Sequence, residues 1–74
     1  MNDAYREELA RLDVTLNRLR IGSETARKML SGVDDTIRPA TVAAWVEGWA
    51  DEVDTVLGLL YDSKEALERL AEAS

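Results

Sequence analysis

Between Val42 and Leu70 apolar residues return at alternating steps of four and three: Val42, Val46, Trp49, Val53, Val56, Leu60, then Ser63, Leu67 and Leu70. Such a seven-residue period is the a/d seam of a long helix lying along another helix. An earlier stretch keeps the same rhythm through Tyr5, Leu9, Leu12, Leu16, Leu19, Ser23, Ala26 and Leu30. Asn2 or Asp3 can cap this first helix, and Glu7 and Glu8 suit its positive end. The pattern predicts a helix over about 3–31, a connector over 32–38 that opens with Gly32 as the stop, and a helix over about 39–73. Arg38 is pushed from helical geometry by the proline after it, and Pro39 fits the first turn of a helix. Gly22-Ser23 and the capping-box-like Asp62-Ser63-Lys64-Glu65 are two places where a helix could break. The seven-residue register runs through both, so two long helices are expected rather than four short ones.

A short connector between two helices makes them antiparallel neighbours. Folding the chain about Thr36 pairs seam positions whose numbers add to 72: Tyr5 with Leu67, Leu12 with Leu60, Leu19 with Val53, Ser23 with Trp49, Leu30 with Val42. Large Trp49 then meets small Ser23, as interdigitated layers require. The same register predicts Arg20 and Arg27 near Asp54 and Glu47. Fold class is therefore all-α, an antiparallel two-helix hairpin forming a single domain over 1–74.

Apolar residues remain after the seam is filled. Met29, Trp45 and Leu59 share one flank with small Thr15, Gly22 and Ala66. Ala43, Ala50 and Leu57 line the other flank of the second helix, while Val14 and Ile21 sit on the back of the first. Helices apolar over more than one stripe bury more than one face. Self-association into a four-helix bundle is the expectation, with a C2 homodimer its commonest form. Met29, Trp45, Leu57 and Leu59 are the expected residues of a self-interface or partner interface.

Composition narrows the chemistry. The chain has 74 residues, 46% hydrophobic and 32% charged, with one Pro, four Gly, and neither Cys nor His. This balance suits a folded helical protein and excludes disulfides, thiolate sites and the commonest zinc ligand and general base. The first residues lack the basic-then-apolar order of a signal peptide, and no apolar run nears the ~20 residues of a membrane span. A cytoplasmic location is the expectation. Net charge is −6, unevenly divided. Residues 1–38 hold seven acids and seven bases, a net of 0; residues 39–74 hold eight acids and two bases, a net of −6. That excess disfavours nucleic-acid backbones and anionic membranes as partners.

Carboxylates are the only candidate catalytic material. Glu47, Asp51 and Asp54 stand at i, i+4 and i+7, forming one acidic face. All-α nucleotide pyrophosphatases hold Mg²⁺ with Glu-Glu-x-x-Glu and Glu-x-x-Asp. This chain offers Glu7-Glu8-x-x-Arg11 and Asp51-x-x-Asp54, which departs from that pattern at ligand positions. The acidic face reads as solvated. Di-iron bundles need Glu-x-x-His, which a chain without His lacks. Ser23, Ser31 and Ser63 have no partner base, and the glycines form no phosphate-binding loop. Arg18, Arg20, Arg27 and Lys28 form the one basic cluster, without the aromatic residues that accompany nucleic-acid binding. Trp49 reads as core, and Trp45 as an interface anchor. Trp45-Val46-Glu47-Gly48 resembles the Trp-x-Gly turn of small secreted hairpin proteins in its letters alone, at another spacing and within a helix, so no family is assigned.

These observations predict a non-enzymatic protein–protein interaction module without cofactors. It would be a small acidic adaptor, assembly subunit or inhibitor that binds itself and a second protein. One alternative is an acidic mimic of nucleic acid, carried by Glu47, Asp51, Asp54, Asp62, Glu65, Glu68 and Glu72. A second is a Mg²⁺-dependent nucleotide hydrolase.

Overall fold

A computed structural model describes residues 2–73 and contains two helices, α1 (Asp3–Ser31) and α2 (Pro39–Ala73), packed against each other as an antiparallel hairpin. Asn2 caps α1: its Oδ1 accepts the Ala4 N–H at 2.7 Å, which satisfies one otherwise orphaned donor. At the other end the Gly32 N–H donates to the Met29 carbonyl at 3.2 Å, and the Val33 N–H to that of Leu30 at 3.1 Å. Gly32 has φ −92°, so α1 stops through a tight turn and not through a left-handed residue. Within the connector the Asp34 carboxylate accepts from both the backbone N–H, at 2.8 Å, and the hydroxyl of Thr36. These bonds hold the Asp34 carboxyl below its ordinary value, the hydroxyl contributing most. The Arg38 carbonyl then accepts from Thr41 and Val42, and Pro39 opens α2 where its missing N–H costs nothing. Both helices run unbroken through Gly22-Ser23 and Asp62-Ser63.

The level of the two helices follows the sum rule. Tyr5 and Leu67 line one groove, Leu12 and Leu60 a second, and Leu19, Ser23, Trp49 and Val53 a third, which Arg18 and Glu52 also border across Gly22. The rotation of α2 keeps most of the expected seam, with Val42, Trp49, Val56, Leu60, Ser63, Leu67 and Leu70 buried or half-buried, while that of α1 departs from it. The most enclosed side chains are Val56 and Ser63, each 1% exposed, with Thr15 and Glu8 close behind. On α1 the enclosed and half-buried positions are Glu8, Leu12, Thr15, Gly22, Ala26 and Met29. On α2 the row Val42, Trp49, Val56, Ser63, Leu70 is flanked by Trp45, Glu52, Leu59 and Ala66 on one side and by Leu60 and Leu67 on the other. The expected seam residues Tyr5, Leu9, Leu16, Leu19, Leu30, Val46 and Val53 are exposed.

This corrects the seam of α1, and small side chains explain it. Turning Thr15, Gly22, Ala26, Ser63 and Ala66 inward leaves room between the helices for the larger Met29, Trp49 and Val56. Seating Leu9, Leu16, Val46 and Val53 between them would hold the helices apart. A Cβ built on Gly22 meets nothing within 4 Å, so the approach there is loose.

The hairpin is long and thin. Its Cα extents are 58 × 16 × 10 Å, with a radius of gyration of 17.2 Å, against about 11 Å for a compact chain of this length. Its accessible surface is 5902 Å², where a compact monomer of 8.2 kDa would expose about 4500 Å². No helix among the described residues is long and apolar enough to cross a membrane.

Candidate interaction surface

Two long sides flank the line of contact between α1 and α2, and their chemistry differs. On the first, Arg18 reaches across to Glu52. Its Nε donates to Oε2 at 2.8 Å and its Nη2 to Oε1 at 2.7 Å, a bidentate pair joining the helices. Hydrogen bonding from Arg18 holds the Glu52 carboxyl below its ordinary value, and the same bond followed by the carboxylate's charge raises Arg18. Farther along this side Glu7, Glu8, Arg11, Ala66 and Arg69 line a polar groove. Glu8 is 6% exposed, with one oxygen 3.5 Å from Arg11 and the other, Oε1, buried without a hydrogen-bond partner. The row carrying Met29, Trp45 and Leu59 belongs to this side, and all three are half-buried. Trp45 stands one turn from Trp49 with ring centroids 6.3 Å apart and planes at 45°.

The opposite side is apolar and open. Leu9, Leu16 and Leu30 of α1, at seven- and fourteen-residue spacing, lie along it, with Leu19 beside them. Val46 and Val53 of α2 face the same way. Leu57, four residues after Val53, extends this stripe and is 45% exposed. Of the four residues expected at an interface, the structure thus groups Met29, Trp45 and Leu59 on the closed side and leaves Leu57 on the open one. Single exposed leucines are ordinary, but a stripe of them along the whole length of a helix pair is not.

Charge borders the open side asymmetrically. Along α1 its outer edge is the row Arg6, Asp13, Arg20, Arg27, each one turn from a stripe residue. Along α2 the edge is Glu47, Asp54, Tyr61 and Glu68, one turn beyond Ala43, Ala50, Leu57 and Lys64. Arg20 pairs with Glu24 at 3.2 Å and with Asn17 at 2.8 Å, both on its own helix. The expected approach of Arg20 and Arg27 to Asp54 and Glu47 within the chain is not found, because that would need charges on the outer faces of both helices to cross the stripe. Among the described residues Arg27, Glu47, Asp51 and Asp54 make no ion pair.

No protein-family model, curated protein or solved structure matches this chain.

Glu47, Asp51 and Asp54 are exposed on a helix flank facing solvent. No group of three or more potential metal ligands gathers among the described residues. The sequence sets Arg18 and Glu52 in facing basic and acidic segments, but it names neither their specific bridge nor the enclosure of Glu8. Both had a signal: Arg18 and Glu52 nearly satisfy the sum rule, and Glu8 lies seven residues before Thr15 and fourteen before Gly22.

Proposed function

We propose that this chain is a non-enzymatic protein-interaction module, a helical hairpin that associates with itself into a four-helix bundle and serves as an adaptor, assembly subunit or inhibitor. The observation that carries the reading is the uncovered stripe of Leu9, Leu16, Leu30, Val46 and Val53 along one whole side. Burying a large apolar side chain contributes roughly 1.5–3 kcal/mol, and a two-helix unit leaves about half of that unrealised at each of these positions. A face 58 Å long and 16 Å wide offers about 900 Å², the size of one side of a standard protein interface. The excess of accessible surface over a compact monomer points the same way.

Light scattering coupled to gel filtration tests it. The parent chain should elute with twice the 8.2 kDa mass of one copy. Leu16→Asp should shift the mass toward a single copy, whereas Val14→Asp, on the back of α1, should not. A parent that stays monomeric at every concentration would overturn the self-association.

An acidic mimic of nucleic acid is the second reading, favoured by the unpaired, exposed Glu47, Asp51 and Asp54. It predicts partner binding that weakens steeply with added salt, whereas a leucine and valine interface keeps its affinity.

A further inference from the structure

We infer that two copies dock open side to open side about a two-fold axis parallel to the helices, α1 of each lying over α2 of the other with both connectors at the same end. The inference rests on the self-association proposed above and goes on to fix its geometry.

Two closed arrangements can cover the stripe. A two-fold axis along the hairpin sets α1 against the partner's α2. An axis across the hairpin sets α1 against α1 and α2 against α2, with the connectors at opposite ends. Both make every neighbouring helix pair antiparallel and bury the same leucines and valines, so apolar area does not choose between them. The charged edges do.

Levels within a hairpin follow the sum of 72, as Tyr5 with Leu67 and Leu19 with Val53 show. An axis along the hairpin preserves those levels. Arg27 then stands two residues, about 3 Å along the axis, from the level of the partner's Glu47. Arg20 has the same offset from the partner's Asp54, and Arg6 from the partner's Glu68. Symmetry repeats each pair, which gives six attractive contacts at the rim. Small Ala43 and Ala50 leave the acidic edge of α2 within reach.

An axis across the hairpin inverts the levels instead. Centred on the hairpin, it brings Asp54 against the partner's Asp54 and Arg27 against the partner's Arg6. The same centring sets Arg20 against the partner's Asp13, so two attractive contacts stand against three repulsive ones. The axis along the hairpin gives six attractive contacts and no repulsive one, and the balance of charge rejects the crossed mode. The division of charge between the chain's halves, a net of 0 in residues 1–38 and −6 in residues 39–74, thereby acquires a use: it sets the docking orientation.

The absence of cysteine makes a site-specific test simple. Asp35→Cys places a single thiol in the connector for a nitroxide label, and pulsed electron–electron resonance reads the distance between labels in the dimer. Connectors at one end put the labels within about 30 Å, two to three interhelical spacings. Connectors at opposite ends separate them by at least the length of α1, about 44 Å for its 29 residues. A distance in the longer range would overturn the docking geometry while leaving self-association intact. A monomer by light scattering would overturn both. Charge exchange supplies the second arm. Arg27→Glu should raise the dimer dissociation constant about tenfold, since two rim pairs become repulsive. Adding Glu47→Arg should restore it. No recovery in the double variant would count against the pairing of these edges.

Discussion

Val53 and Val56 stand three residues apart on α2, yet one is 52% exposed and the other 1%. Changing either to alanine removes the same two carbon groups, about 1.6 kcal/mol of transfer free energy when fully covered. The helix-propensity gain is equal for both and cancels from their difference. In a single hairpin Val56→Ala should cost the whole amount plus a cavity contribution. Val53→Ala should cost about half as much, near 0.8 kcal/mol. If a second copy covers the stripe, Val53 becomes as enclosed as Val56, and the two costs converge as dimer forms. Denaturant unfolding followed by far-UV circular dichroism, over about a hundredfold range of protein concentration, measures both variants. The gap between them should be at least about 0.8 kcal/mol in dilute protein and shrink as concentration rises. A gap that stays constant would refute coverage of the stripe by self-association. A Val56→Ala cost below that of Val53→Ala would refute the rotation of the helices itself.

Three further substitutions probe the hairpin. Glu8→Leu removes a buried oxygen without a hydrogen-bond partner and should stabilise by about 1–2 kcal/mol in thermal or urea unfolding; destabilisation would show that Glu8 is better satisfied than its geometry indicates. Gly58→Ala adds a Cβ that meets nothing within 4 Å, so the helix should gain about 0.8–1 kcal/mol. Glu52→Gln tests the Arg18 bridge through pH. Because folding lowers the Glu52 carboxyl below its ordinary 4.5, its stabilisation is present above that value and is lost as pH falls through the lower folded value. The parent should therefore lose more stability than the Gln variant on acidification below pH 4.5, with equal losses refuting the bridge.

The arrangement of two helices, their level and their unbroken course were legible because they depend on spacing and on a few capping residues. Asn2, Gly32 and Pro39 mark ends through local hydrogen bonding, and pairs such as Tyr5 and Leu67 follow from chain arithmetic. The rotation of α2 was largely legible, since only Val46 and Val53 of its seam are exposed; that of α1 was not. Each helix carries three adjacent rows at seven-residue spacing that are wholly or partly apolar, and a period cannot say which of the three meets the neighbour. The bulkiest row, with Leu9, Leu16 and Leu30, looked like core by hydrophobicity. The row with Thr15, Gly22 and Met29 closes the hairpin because its small members make room for Trp49 and Val56 of α2. Glu8 hid the signal by placing a carboxylate in that row. The acidic face of Glu47, Asp51 and Asp54 is solvent-facing, as a charged stripe opposite the contact line should be.

The short connector also has a kinetic consequence. With α1 and α2 joined by the seven residues 32–38, the layer next to the turn closes the smallest loop, and every layer beyond it can zip up from a neighbour already formed. The knot of Asp34 and Thr36 preorganises the first step. Native-state hydrogen exchange should accordingly be slowest beside the turn and quicken toward Tyr5 and Leu67, where the last-formed layer has a closed neighbour on one side only.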